Sequence, residues 1–95
     1  MEKNIVLKIR DEVAFRESGD GAFFVISPLI DEIVTINDSH AVLWSLIDGK
    51  RDISEIIARF AAHFNAGSLD EITQMWSDMI EIIDKFLEKQ LIEII

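Results

Sequence analysis

The chain has 95 residues, and 49% of them are hydrophobic. A chain of this length can form one hydrophobic core, so we expect a single domain spanning residues 1–95. The formal net charge of −9 disfavours binding to nucleic acid and to anionic membranes, and the absence of cysteine excludes disulfides and thiolate metal sites. Because the sequence shows neither a secretory signal nor an apolar run long enough to span a bilayer, we expect a cytoplasmic protein that does not bind membranes.

Short segments before the first predicted helix have the pattern of β-strands. Apolar residues at alternate positions predict an extended segment over Ile5–Ile9. The segments Val13–Arg16 and Ala22–Ile26 flank a turn that contains glycine, which predicts an antiparallel hairpin. Pro28 ends this hairpin, and Glu32–Ile36 is predicted to be the third strand of the sheet.

Three helices are predicted after the strands. Asn37 or the aspartate after it can cap the first helix, and Gly49 suits the left-handed residue that stops it. The second helix begins at Asp52 and the third at Ser68, each followed three residues later by glutamate, as in a capping box. The third helix should run to about Lys89. These elements predict an α+β fold like a winged helix-turn-helix, with a three-stranded antiparallel sheet followed by three helices.

No group of residues has the spacing of a catalytic or metal site. His40 and His63 are separated by most of two helices, and structural roles explain them better than metal ligation. Asp38 and Ser39 precede His40 directly at a helix start, where capping explains them and a catalytic triad would not form. The turn Gly19–Gly21 carries a central aspartate that would repel a phosphate. We therefore expect no enzymatic activity, no metal and no cofactor.

Two functions that need no catalytic site, DNA binding and homodimer formation, are compatible with this order of elements. A winged-helix DNA-binding regulator needs basic residues on its recognition helix, yet the stretch from Phe60 to Asp84 contains no lysine or arginine. Lys50 and Arg51 are the only adjacent basic pair, so we expect no nucleic-acid partner. A homodimeric structural domain would bury the apolar tail Leu91–Ile95 and a strand edge between two copies. The same tail could instead form a short strand or pack under the hairpin, and the sequence does not distinguish among these three possibilities.

Five short features from the third strand onward follow one another with a characteristic spacing. They are Asn37 at the strand exit, Trp44 in a helix closed by Asp48 and Gly49, the helix start Ile53–Ile56, Asp78 in the third helix and the closing Leu91. In this order they resemble the PqqD-like family, and the resemblance covers about two thirds of the chain. Gln90 stands where that family usually has glycine, and the basic residues common near its start are sparse here.

The resemblance implies a recognition element for ribosomally synthesised and post-translationally modified peptides (RiPPs). Such an element, abbreviated RRE, has no catalytic activity and binds the leader peptide of a precursor between its third strand and third helix. It then presents the precursor to a modifying enzyme, such as a radical-SAM enzyme, a leader peptidase or a cyclase.

The candidate binding residues come from these two elements. A leader that adds as a strand would bond to the backbone of the third strand. On the third helix, residues at spacings of three and four lie beside the predicted core stripe and are expected to form the groove wall. The predicted peptide-binding residues are Ile33, Val34, Thr35, Ile36, Asn37, Met75, Asp78, Met79 and Ile82. Ile33 and Val34 point to opposite faces of the strand, and the sequence does not show which face is core.

Overall fold

Three antiparallel strands and three helices form most of the protein, which a computed structural model describes from residue 2 to residue 95. In chain order the elements are β1 (Leu7–Ile9), β2 (Ala14–Glu17), β3 (Phe23–Ser27), β4 (Glu32–Ile36), α1 (Asp38–Leu46), α2 (Ile53–His63), α3 (Leu69–Glu88) and β5 (Ile92–Ile94). The predicted α+β fold, with a three-stranded antiparallel sheet followed by three helices, is confirmed. Within residues 2–95, no helix is both long and apolar enough to cross a membrane.

The three-stranded sheet has the order β2-β3-β4, and both neighbouring pairs are antiparallel. β4 pairs with β3, for example through Val34 and Val25, and its other edge has no strand partner among the described residues. The face of β4 that the sequence left open is now defined. Ile36 is 4% exposed and faces the core, whereas Ile33 is 65% exposed. Because strand residues alternate, Val34 shares the core face with Ile36.

Each helix begins at a side chain that caps its first turn. The side-chain oxygens of Asn37, Asp52 and Ser68 accept hydrogen bonds from the amide three residues later, at 2.9, 2.9 and 3.1 Å. These bonds satisfy amides that no helical carbonyl can reach, and they confirm the predicted helix starts. Gly49 adopts the expected left-handed conformation with φ of +78°, but in the turn that follows α1, which ends at Leu46.

The end of α3 directs the tail back onto the body of the protein. Gln90, at the position where the PqqD-like pattern has glycine, adopts a left-handed φ of +58°. Its amide donates to the Leu87 carbonyl and the Leu91 amide donates to the Phe86 carbonyl, which is the Schellman pattern of a helix end. Leu91 and Ile92 are then buried, and β5 pairs antiparallel with β1. Of the possibilities left open for the tail, the structure has the short strand.

The core lies between the sheet and the helices. Its fully buried members include Leu7, Leu43, Ile56, Met79, Ile83 and Phe86. Trp44 of α1 packs edge-on against Phe86 of α3, with the ring centroids 5.5 Å apart. One stripe of α3 is therefore committed to the core, while the neighbouring stripe stays accessible next to α1 and α2.

Candidate functional site

A surface groove of about 500 Å³ lies between α1, α2 and α3, and Asn37, the residue that follows β4, is part of its lining. Its lining combines aromatic and aliphatic side chains with both acidic and basic groups. The lining residues are Asn37, Ser39, His40, Phe60, Phe64, Met75, Asp78, Glu81, Ile82 and Lys85. Four of the residues predicted from the sequence are among them: Asn37, Met75, Asp78 and Ile82.

β4 begins beside the end of α3 and ends at the groove. The ammonium group of Lys89, one residue after α3, forms an ion pair with the Glu32 carboxylate at 2.9 Å. The hydrogen bond to Glu32 raises the pKa of Lys89 above its ordinary value, which keeps the ammonium charged. At the other end of β4, the next residue, Asn37, lines the groove, and the groove residues of α3 all precede Lys89. β4 therefore runs in the opposite sense to α3.

Two adjacent stripes of α3 have different surroundings. Met75, Asp78 and Ile82 line the groove at spacings of three and four, in agreement with the sequence pattern. The same pattern places Met79 on the groove wall, but Met79 is 0% exposed and lies in the core with Ile83. The placement of Met79 is therefore corrected. Successive residues of an α-helix are rotated by about 100°, which carries Met79 from the groove side to the core side.

The strand residues named from the sequence divide between the two faces of β4. Ile33 and Thr35 are exposed, Val34 is partly buried and Ile36 is buried. The side chain of Ile36 is therefore not available on the surface, and a role for this residue in peptide binding is restricted to its backbone. The pairing of the β4 backbone with a peptide stays a prediction.

Sequence reasoning missed six lining residues: Ser39, His40, Phe60, Phe64, Glu81 and Lys85. Glu81 and Lys85 lie three residues beyond Asp78 and Ile82, so an extension of the helical spacing would have found them. Phe60 and Phe64 come from α2 and its C-cap, where the pattern predicts core residues. Only tertiary packing brings them to the groove.

The charges along α3 divide the groove into zones. The carboxylates of Asp78 and Glu81 lie in its middle, and the ammonium group of Lys85 lies further toward the end of α3. The side-chain amide of Gln74 donates a hydrogen bond to Asp78 at 3.0 Å. In the described part of the chain, neither carboxylate forms an ion pair. Both are therefore available to a positively charged ligand.

The burial of His40 couples stability to pH. Its imidazole packs edge-on against Phe86, with the ring centroids 6.2 Å apart. Partial burial, together with repulsion from Lys85, lowers the pKa of His40 below its ordinary value of 6.5. The unfolded chain therefore binds this proton more readily than the folded one. Above about pH 6.5, His40 is neutral in both states and its contribution to stability is fully present. We expect this contribution to be lost as the pH falls from about 6.5 through the lower pKa of the folded state.

Urea unfolding between about pH 5 and pH 7.5 measures this effect. We expect His40→Gln to flatten the pH dependence of the free energy of unfolding in this range. His63→Gln is the matched control, because His63 is exposed at the end of α2, and it should keep the wild-type slope. The same pH dependence in the wild type and in His40→Gln would contradict the expectation.

Known proteins share both the sequence pattern and the fold of this chain. The model of the family described as coenzyme PQQ synthesis protein D (PqqD) matches residues 17–92, which is more than half of the chain. A comparison with curated proteins finds no match.

The fold is similar to the solution NMR structure of the PqqD truncation of PqqCD from Methylobacterium extorquens, with a TM-score of 0.72 and 16% sequence identity. The match covers 93% of this chain and 88% of that one, which is described as a functional and stand-alone RiPP recognition element. At this identity the likeness shows the shared fold, and the family model shows the relationship. The chain therefore belongs to the PqqD family.

Proposed function

We propose that the protein is a non-catalytic module that recognises the leader peptide of a RiPP precursor and presents the precursor to a modifying enzyme. The leader would add as a further strand to β4 and continue past the end of that strand into the groove beside α3. The observation that carries this proposal is the unpaired edge of β4, a strand whose next residue, Asn37, lines the groove. Membership of the PqqD family and the likeness to a RiPP recognition element support the class of ligand.

The edge of β4 supplies affinity with little sequence selectivity. An edge strand leaves backbone amides and carbonyls unpaired, and an extended peptide can satisfy them. β4 has five residues, Glu32–Ile36, and none of them is proline, so each residue has an amide hydrogen. This length is typical of paired strands in proteins. The backbone bonds would fix the position of the leader along β4.

Side chains of the groove supply the selectivity. Met75, Ile82 and Phe64 present apolar surface on which an apolar anchor of the leader would be buried. A methionine adapts to partners of different shape because it is unbranched and flexible. The Asp78 carboxylate would form a charge-assisted hydrogen bond with a lysine or arginine of the leader.

The mechanism is binding without chemistry. A leader that is disordered when free loses conformational entropy as it docks, so its affinity depends on a few anchors and on the backbone bonds. Once held, the leader raises the local concentration of the attached core peptide near an enzyme that binds the same module. The enzyme would be a radical-SAM enzyme, a leader peptidase or a cyclase of the same pathway.

The two alternative functions lack comparable support. A recognition helix in DNA needs positive charge, but the exposed side of α3 carries Asp70, Glu71 and Asp78, which would repel phosphates. A homodimer that uses the apolar tail needs that tail to be free. Leu91 and Ile92 are instead buried within one chain, next to the pairing of β5 with β1, which leaves only Ile94 and Ile95 of the tail as exposed apolar residues.

Replacing Ile82 by alanine is expected to weaken leader binding, because Ile82 supplies apolar surface to the groove. Loss of this buried surface costs about 1–2 kcal/mol, which corresponds to an affinity roughly five- to thirtyfold lower. Fluorescence anisotropy measures the change with labelled copies of the short precursor-like peptides encoded in neighbouring genes.

Ile94→Ala is the matched control for this experiment. It removes the same atoms from a residue that is 53% exposed on β5 and does not line the groove, so the affinity should stay unchanged. Thermal unfolding of both variants shows that they are folded. Equal losses in the two variants, or binding of a duplex DNA in place of the peptides, would contradict the proposed function.

A further inference from the structure

We infer that the groove selects leaders that carry, from the N-terminus to the C-terminus, a bulky apolar residue, a basic residue and an acidic residue at alternate positions. The inference rests on the proposed function and specifies its substrate. Three chemically different zones lie along the groove, and the direction of β4 sets the order in which a paired strand meets them.

The apolar zone lies between α2 and α3. It is formed by Phe60, Phe64 and Met75. The side chain of Phe64 is 41% exposed although it is large and apolar, and its ring lies 4.9 Å from that of Phe60, measured between centroids. An aromatic or branched aliphatic side chain of a peptide would cover the exposed ring and gain both burial and aromatic contact.

The acidic zone lies one turn further along α3. Asp78 and Glu81 both line the groove, and among residues 2–95 neither is held in an ion pair. The hydrogen bond from Gln74 reaches Oδ1 of Asp78 and does not engage Oδ2. A guanidinium or ammonium group opposite these two carboxylates would form charge-assisted hydrogen bonds.

The basic zone is formed by Lys85. This side chain lines the groove, and within the described residues its ammonium group forms no ion pair. The positive charge of Lys85 acts on His40 of α1. Burial is the main cause of the lowered pKa of His40, and repulsion from Lys85 lowers this pKa further. An acidic peptide residue at this point would be attracted by Lys85, whereas a basic residue would be repelled.

The direction of β4 fixes the order of the three anchors. β4 runs opposite to α3, because its first residue, Glu32, contacts Lys89 at the end of α3 and its last residue leads into the groove. Both strand pairs of this sheet are antiparallel, and antiparallel pairing is the more stable kind per residue. A peptide antiparallel to β4 runs in the same sense as α3. It would meet Met75 first and Lys85 last.

The spacing of the anchors follows from the rise of α3. From Met75 to the acidic pair, and from that pair to Lys85, the helix axis advances by roughly 7–8 Å in each step. An extended chain covers about 3.3 Å per residue, so each step corresponds to about two residues of a strand. Side chains two residues apart also lie on the same face of a strand. The anchors therefore occupy alternate positions of a five-residue segment.

Three designed peptides of identical composition test the inference. They contain Phe-Thr-Arg-Thr-Glu, the charge-exchanged Phe-Thr-Glu-Thr-Arg or the reversed Glu-Thr-Arg-Thr-Phe between the same flanking threonine and serine residues. We expect the first to bind about tenfold more tightly than either of the others in fluorescence anisotropy. The double variant Asp78→Asn, Glu81→Gln should reduce its advantage over the charge-exchanged peptide to about twofold or less.

The double variant Asp84→Asn, Glu88→Gln is the matched control. It changes the net charge by the same amount at exposed positions of α3 outside the groove lining, so it should keep the tenfold preference. Loss of the preference in this control would mean that overall charge, and not groove contacts, produces it, which overturns the inference.

The designed peptides also separate this inference from the proposed function. Equal affinities for the three peptides, while the precursor peptides of neighbouring genes bind and depend on Ile82, would overturn the inference and leave the proposed function standing. Failure of the precursor peptides to bind at all would overturn both.

Discussion

Replacing Phe86 by alanine is expected to lower the free energy of unfolding by about 3–5 kcal/mol. Phe86 is 1% exposed and packs edge-on against Trp44 and His40, so its ring joins α3 to α1. Its removal leaves a cavity that these surrounding rings can fill only in part. For a domain of this size we expect the melting temperature to fall by at least about 10 °C.

Phe64→Ala is the matched control for this substitution. The Phe64 side chain is 41% exposed in the groove, so its truncation removes less buried surface and leaves no closed cavity. We expect a loss of stability of about 1 kcal/mol or less in urea unfolding. A loss for Phe86→Ala no larger than the loss for Phe64→Ala would contradict the central place of Phe86 in the core.

Methylation of single backbone amides in a bound leader peptide is expected to weaken binding at alternate residues. In a strand paired on one side, every second amide points to its neighbour, and the intervening amides point away. Each methyl group placed on a bonded amide removes one hydrogen bond to β4, which costs about 1–3 kcal/mol, or roughly five- to 150-fold in affinity. Isothermal titration calorimetry of a series with one methyl group per peptide measures the pattern.

Alanine substitution at the same peptide positions is the control for this series, because it removes side chains and keeps the backbone donors. We expect alanine to be costly at the anchors and harmless between them. Methylation that is harmless throughout would show that the leader does not add as a strand to β4. Losses at consecutive positions would instead indicate a helical bound form, whose amides are all engaged.

The local features of this protein were predictable because they depend on residues that are close in the chain. The capping residues Asn37, Asp52 and Ser68 precede apolar residues at helical spacing, and the structure has a helix after each. Alternating apolar residues in Ile5–Ile9 likewise predicted the extended segment that contains β1. The fold class followed from the change of period between strands and helices.

The groove depended on tertiary packing and was only partly predictable. Met79 and Ile82 both fit the helical spacing from Met75, yet the first is buried in the core and the second lines the groove. When the apolar face of a helix is wide, the sequence does not show which of its residues a neighbouring helix covers. Phe64 continues the apolar stripe of α2 but is left exposed because α2 ends there. The pairing of β5 with β1 likewise joins opposite ends of the chain, which no local pattern specifies.

An amide NMR titration of the labelled protein with the precursor peptides of neighbouring genes tests most directly whether a leader binds between β4 and α3. We predict that the largest shift changes fall in Glu32–Asn37 and on the groove side of α3 from Met75 to Lys85, and that duplex DNA causes none there. Changes confined to β1 and β5, or changes that appear only with DNA and centre on Lys50 and Arg51, would contradict leader recognition by this groove.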